Sequence, residues 1–455
     1  TLIGGLAGTA MTTGSQNSAF GSGSGESITT GQYNSAFGSD SLDALTTGTR
    51  NTAFGNDTLS SDTLGSRAVA VGLGALQNQN FTSATDNYNV AVGFQAGNDV
   101  TTGTHNTLIG GLAGDAITTG TYNTAIGYNA LTANTTATNN VSVGAFSLGL
   151  NTTGEANTAV GLAALDANTT GSNNVALGAS ALSANTTAAN ATAVGYQAML
   201  SNTTGGENVA IGREALRTMT TANANTAVGY QAGNFTTTGA NNTFIGRRAG
   251  YAVTTGAGNT FIGGEAGDGL TTGSSCIFIG KGATESAVGT PNQTVLGTGV
   301  TCVGDSNFTF GGGSTDSNIA FGATSISAPS DQRYKEEIAD ATAGLSFIKD
   351  LRPVTFKWKK EKDLPTSHRA YVEGSEKRTM NDYTNHGFIA QEVKTAIDAH
   401  SEIKDGFDMW CTDDQADGGR QRLGDASLMP MLVKAVQEQN ALIVALTARV
   451  ATLEG

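Results

Sequence analysis

The chain has 455 residues, a formal net charge of −14, 62 glycines and only 14% charged residues. It is too long for one ordinary core, and its scarcity of charge, Pro and aromatics beside runs of Thr, Asn and Ala argues against an ordinary enzyme domain. The acidic balance argues against a nucleic-acid partner, which needs a concentrated Lys/Arg surface; between residues 1 and 329 the basic residues are only Arg50, Arg67, Arg213, Arg217, Arg247, Arg248 and Lys281.

The first predicted element is a repeat. Glycines fall seventeen residues apart at Gly4, Gly21, Gly38, Gly55 and Gly72; after a four-residue insertion the spacing resumes at Gly93 and runs through thirteen glycines to Gly297, making eighteen rows. A typical row, Thr226–Asn242, reads TAVGYQAGNFTTTGANN. Its first three residues suit a short strand, with positions one and three on one face. Position seven is always small, which suits close approach to a neighbouring layer, and Leu or Gly follows it. The TTG element supplies β-branched residues and a Gly able to take positive φ, and the closing Asn favours a tight corner.

One row therefore reads as one coil of a β-solenoid, and the regular apolar spacing excludes disorder. At one strand spacing per coil the stack is a rod about 85 Å long. Its stability is expected from stacking along the axis and from contact between chains. The row Val69–Asn89 carries the insertion, within LQNQNFTSATDNYN, and is expected to project a larger loop, a reasonable contact site. Residues 298–329 lose the period, and FTFGGG and IAFGATSIS suggest short strands in a tapering neck.

Cys276, Cys302 and Cys411 match no CxxC or metal-ligand spacing and read as isolated reduced thiols, although a three-fold assembly could bring three copies of Cys276 together. No metal or cofactor is indicated. No apolar run is long enough to span a membrane and no secretory leader is evident, so membrane insertion is not expected. The chain begins without Met inside the repeat, so an upstream region is expected.

Rows such as ENVAIG (Glu207–Gly212) and NVAVG (Asn89–Gly93) resemble the head repeats of trimeric autotransporter adhesins. That resemblance, over residues 1 to about 297, implies a trimeric left-handed parallel β-roll built for binding surfaces. The row here is longer and usually places Thr where that motif has its first Val.

From Ser330 the style changes: SDQRYKEEI brings charge and a helical pattern, and GLSFIKDLRPVTFKWKK reads as helix, turn and strand. Ser330, Asp331, Arg333, Lys335 and Ile338, with Leu351-Arg352-Pro353, Phe356, Trp358 and HGFIAQEV (His386–Val393), resemble the endosialidase-type intramolecular chaperone family. Over residues 330–455 this implies a domain that trimerises phage tail fibres and tailspikes and then cuts itself off before the motif's Ser. Carried over, the scissile bond is Pro329–Ser330, with Ser330 as nucleophile and Lys335 as base, a self-cleaving serine peptidase. A lysine serves as base only with its pKa lowered by burial or nearby cations, to which Arg333 could contribute; Asp331 is a further supporting candidate. His386, Gln391 and Glu392 either orient this dyad or bind the new chain end, or else cap a helix and satisfy core polar groups. His105, His368 and His400 have no partner pattern and read as surface residues.

The last element is a helix over 428–454. Met429, Leu432, Val436, Gln439, Ile443, Leu446, Val450 and Leu453 step by three and four, the a/d seam of a coiled coil; Pro430 fits the first turn and Gln439 could set register.

The expected fold is mainly β: a trimeric β-solenoid of 17-residue repeats over 1–297, a neck over 298–329, and a small α+β chaperone domain over 330–455 ending in a coiled-coil helix. The expected function is a bacteriophage tail fibre. It would be a homotrimer assembled in the host cytoplasm, carried on the virion through an upstream region that meets other tail proteins, and binding a host polysaccharide or protein receptor. Row positions five and six and the loop near Asn80 are the candidate receptor contacts. A capsule-degrading tailspike is one alternative, opposed by the sparse, unpaired carboxylates of the repeats. A bacterial surface adhesin is the other, opposed by a chaperone standing where such proteins carry a membrane barrel.

Overall fold

Each row builds one short strand because β-branched or apolar residues occupy its ends and a glycine stops it, as in Thr124–Ile126, Thr158–Val160 and Thr226–Val228. The computed structural model describes residues 1–313, 315–323, 326, 332, 335–366, 370–403, 407, 409–412, 421–424 and 427–454. Two compact units divide the chain, Thr1–Pro329 and Ser330–Gly455. In the first, every row strand pairs in parallel with the strand one row on, Thr124 opposite Val141 and Ile126 opposite Val143. The insertion lengthens a single step, Val69 opposite Val90. The rest of the coil is bonded along the axis as well, Thr118 N–H to the Thr135 carbonyl at 2.9 Å and Leu131 N–H to that of Ser147 at 3.0 Å. The backbone of each coil thus finds its partners in its neighbours.

The strand's middle residue points inward and meets positions seven and eight, so Ala125, Ala130 and Leu131 are fully buried. The interior keeps a constant volume, as close packing demands. At Gly114 and Gly250 of position eight the row's own bulky strand centre fills the gap, and at Gly97 and Gly233 that of the next coil does. A Cβ on Gly250 would lie 2.4 Å from the Phe244 ring, and one on Gly114 2.8 Å from Leu108. The rings of Phe244, Phe261 and Phe278 continue this filling up the stack, with centroids 5.5 and 4.7 Å apart.

Two sequence expectations are corrected here. The closing Asn is no corner residue: Asn157 is fully buried, donates from Nδ2 to the Gly171 carbonyl at 2.9 Å, and accepts the Asn174 backbone N–H on Oδ1 at 3.0 Å. Asn140 and Asn174 repeat the pattern, making a polar ladder inside the solenoid. The TTG glycine does not take positive φ; the left-handed bend falls two residues later, at Asn173 with φ 60°. At Gly171 a Cβ would stand 2.2 Å from the Ala188 carbonyl oxygen, so this column favours small residues, with Ala137, Ala188 and Ala222 in place of Gly in three coils. The first Thr of the element works along the axis too, Thr169 Oγ1 donating to the Thr186 carbonyl at 3.1 Å.

The insertion projects less than expected. Phe81 turns inward at 4% exposure, Gly65–Ser66 pairs with Thr85–Asp86, and only Thr82, Ser83 and Ala84 form a run of exposed residues. In the neck, Gln293–Thr298 pairs in parallel with Asn307–Gly312, and Thr315–Ala320 then returns antiparallel, so the second expected strand ends at Ala320. Cys276 replaces Asn in the inner ladder and is fully buried inside its own coil, which removes the possibility of three copies meeting.

The second unit has helix α1 (Leu345–Asp350), strand Val354–Phe356 paired with Asn385–Gly387, helix α2 (Ala390–Ala399), the pair Trp410–Thr412 and Gln421–Leu423, and helix α3 (Leu428–Glu454). Phe347, Val393, Ile397 and Met409 form its core. The helical pattern read in SDQRYKEEI is not realised among the described residues: 335–343 is irregular, with Glu337 at φ 54°. Gly344 offers α1 no side-chain cap, and the Glu438 carboxylate accepts the Leu345 N–H at 2.8 Å instead, tying α3 to α1. Only Leu428 and Ala435 of α3 are buried.

Two substitutions rank the constraints. Gly161 has φ 134°, and a Cβ there would lie 2.7 Å from the carbonyl carbon and oxygen of Gly178. Gly161→Ala is expected to cost on the order of 3 kcal/mol. Asn157→Ala orphans one buried carbonyl and one N–H and is expected to cost about 2 kcal/mol, the milder effect because Ala191 already stands in that column. Thermal unfolding followed by circular dichroism measures both; unchanged melting of Gly161→Ala would refute close stacking at that column.

Candidate active site

Pro353 fixes extended backbone at the end of α1 and leads directly into the strand Val354–Phe356, whose Thr355 stands opposite His386. After Gly387 the chain enters α2, whose first turn carries Gln391 and Glu392. The antiparallel pair therefore returns the start of α2 to Arg352. Arg352 Nε donates to Glu392 Oε2 at 2.9 Å and Nη2 donates to Oε1, a two-pronged contact. The hydrogen bond to the guanidinium holds the Glu392 carboxyl below the usual range, and the same contact raises Arg352. Both side chains are exposed, so the pair adds little stability and acts as a clasp on geometry. Arg352, Pro353, Thr355, Phe356 and Ile389 line an open depression beside it.

Pro329, Ser330, Asp331 and Arg333 lie outside the described residues. Lys335 is exposed, and its backbone N–H donates to the Gln332 carbonyl at 3.0 Å. His386 and Gln391 are exposed and make no side-chain hydrogen bond among the described residues. None of His386, Gln391 and Glu392 caps α2, whose N-cap is Ile389 without a side-chain bond, and none is a buried polar group. That half of the sequence expectation is corrected; what is joined is Glu392 and Arg352.

His400 is also corrected. Its Nε2 meets Asp350 Oδ2 at 2.9 Å, its Nδ1 meets Glu402 Oε1 at 3.1 Å, and Phe347 stands edge-on at 5.5 Å, leaving the side chain 12% exposed. No local pattern could reveal this, because Asp350 is fifty residues upstream at the end of α1. His105 is exposed but stacked between Tyr88 and Tyr122, and His368 lies outside the described residues. Among the described residues no group of three His, Cys, Asp or Glu is placed to hold a metal, and no helix is long and apolar enough to cross a membrane.

Residues 330–401 match the family described as chaperone of endosialidase, a match that spans Ser330, Lys335, Arg352, His386, Gln391 and Glu392. No curated protein matches the chain.

The His400 bridge gives a pH dependence. The hydrogen bond to Asp350, with Glu402 adding, raises its pKa against the opposing effect of burial. A raised folded pKa contributes stability that is full below the ordinary histidine value and is lost as pH climbs through the folded one. Both tryptophans, Trp358 and Trp410, lie in this unit, so their fluorescence isolates its unfolding. The melting temperature is expected to fall as pH rises above about 6.5, and His400→Gln should flatten that slope; identical profiles would refute the bridge.

Proposed function

We propose that this chain, whose segment 330–401 matches the family described as chaperone of endosialidase, is a bacteriophage tail fibre: a homotrimer whose solenoid binds the host surface and whose chaperone assembles it and then cuts the Pro329–Ser330 bond. The observation that carries the reading is apolar surface that a single chain leaves bare in both units. Strand position three points outward coil after coil, and Phe54, Leu177, Ile211 and Leu296 are 52%, 46%, 40% and 48% exposed. Phe20, Phe37 and Phe54 stack at 4.6 and 4.7 Å in the same column. On α3 the seam residues Val436, Ile443, Leu446 and Leu453 are 63%, 55%, 62% and 84% exposed. Apolar columns of this length favour association, and further copies of the same chain supply a matching column at every coil. The heptad spacing of α3 supports a coiled coil among the same copies.

Cleavage follows from the family chemistry. Ser330 Oγ attacks the Pro329 carbonyl carbon while Lys335 takes the hydroxyl proton; the peptide C–N bond breaks, that proton passes to the leaving Ser330 amine, and water opens the resulting ester to a Pro329 carboxylate and a free Ser330 hydroxyl. Lys335 is exposed in the single chain, and a base of this kind needs burial. Assembly supplies that cover and so couples cutting to correct trimerisation.

Expression of wild type beside Ser330→Ala, Lys335→Ala and the double variant Ile443→Asp/Leu446→Asp tests both halves. Wild type is expected as a trimer split after Pro329 by mass spectrometry, the first two variants as uncut trimers, and the seam variant as uncut, unassembled chain. A wild-type trimer of full-length chains refutes self-cleavage, and a wild-type monomer refutes the fibre.

A further inference from the structure

The residue before the inner Asn bends the backbone into the left-handed region in row after row. Later rows carry mostly small residues or Asn at this corner, Asn139, Ala156, Asn173, Asn190, Ala224, Asn241, Gly258 and Ser275, with Glu207 among them. Six successive earlier rows instead carry Tyr33, Arg50, Arg67, Tyr88, His105 and Tyr122, at φ 60°, 61°, 67°, 51°, 60° and 59°. Bulky side chains are disfavoured there, so the local preference is overridden six times in succession. The bend itself belongs to the coil, since the buried Leu42, Leu59 and Leu131 adopt it as well; what sets these six rows apart is that aromatic and basic side chains occupy an exposed corner.

The six side chains form a continuous strip. The Arg50 guanidinium lies 5.5 Å from the Tyr33 ring, that of Arg67 lies 5.4 Å from the Tyr88 ring, and His105 stands 5.3 and 4.8 Å from Tyr88 and Tyr122. Because the rings turn their faces to one another, their edges, hydroxyls and N–H groups remain for a ligand; Tyr33, Tyr88 and Tyr122 are 50%, 46% and 58% exposed. Two guanidiniums occupy neighbouring coils. Arg67 has the Asp86 carboxylate at 2.9 Å, whereas among the described residues no carboxylate pairs with Arg50. Arg50 is therefore the guanidinium left open to an external anion.

We propose that this corner column is a binding stripe for an acidic polysaccharide, a reading that rests on host binding by the solenoid and names its ligand class. One donor-bearing side chain per coil, about 4.8 Å apart, suits an extended polymer with a carboxylate on successive sugars. Two arginines on an acidic chain are too few for the dense phosphates of nucleic acid.

The purified full-chain assembly is passed over immobilised polygalacturonate, neutral dextran and duplex DNA. Wild type is expected to be retained on polygalacturonate, less so as salt rises, and not on dextran or DNA. Arg50→Asn/Arg67→Asn/Tyr88→Asn should weaken retention at least about tenfold, each charge-assisted contact being among the strong ones. Its mass should be unchanged and its melting equal or higher, since Asn accepts the bend. Arg213→Asn/Arg247→Asn should bind like wild type. Absence of polygalacturonate binding, equal retention of the triple variant, equal binding to DNA, or loss of assembly in the triple variant each overturns the stripe, the last by making the column a subunit contact. Adsorption of labelled protein to a panel of bacterial strains separates the two readings: equal adsorption of wild type and triple variant refutes the stripe alone, and no adsorption of either refutes host binding.

Discussion

The parallel ladder holds successive coils one strand spacing apart, which leaves no room for a Cβ in the column of Gly161 and room for little more than a methyl group in that of Gly171. At Gly161 and Gly171 the nearest atoms a side chain would meet include the next coil's carbonyl oxygens, at 2.7 and 2.2 Å. The other inner columns follow from the same spacing. A residue stacked directly on its counterpart must be able to bond or pack with itself, and Asn does so by donating an amide to one backbone and accepting from another. Thr does so through its hydroxyl, and the phenylalanine rings do so by stacking. A substitution in one coil therefore acts on two interfaces at once.

The narrow interior sets what must face outward. The strand centre and positions seven and eight share one small volume, so bulk at one requires its loss at another, as Phe244 against Gly250 illustrates. Strand position three has no place inside, yet it is apolar along the sheet. In the proposed trimer that column and the α3 seam are buried together, which makes assembly and stability one process. Pairing between residues seventeen apart is local for so long a chain, so each coil can dock on the one before once a first coil is in place.

The period was legible because glycine is forced by backbone contact and repeats whatever its neighbours do. The compensation between Phe244 and Gly250 was visible in the row as well, as Leu or Gly at position eight, but its meaning needs the inward direction of the strand centre. The Asn column was misread because that direction depends on the left-handed bend one residue earlier, which Tyr, Arg, His and Asn all adopt and no composition rule marks. In the second unit, Arg352 and Glu392 were both in recognised motifs, yet their contact depends on the pairing of Thr355 with His386. His400 bridges partners that no helical spacing relates. Ser330 and Lys335 were read from the motif, and the pair remains a reading of sequence.

The solenoid separates what the fold requires from what it merely permits. Its glycine, Asn and Ala columns answer to the coil spacing, whereas its corners and position five face outward and answer to nothing within the coil. Two stretches use that freedom for aromatics and arginine. On position five, Arg213 sits between Tyr196 and Tyr230 at 5.8 and 5.9 Å, but Glu214 binds the guanidinium and also accepts from Gln231, so that cluster is satisfied within itself. The corner column differs in the respect that matters. Its Arg50 has no carboxylate among the described residues to answer it. A charge left uncompensated among exposed aromatics is not explained by the stability of the coil, and this column, ahead of position five, is where selection by an external anion would leave its mark.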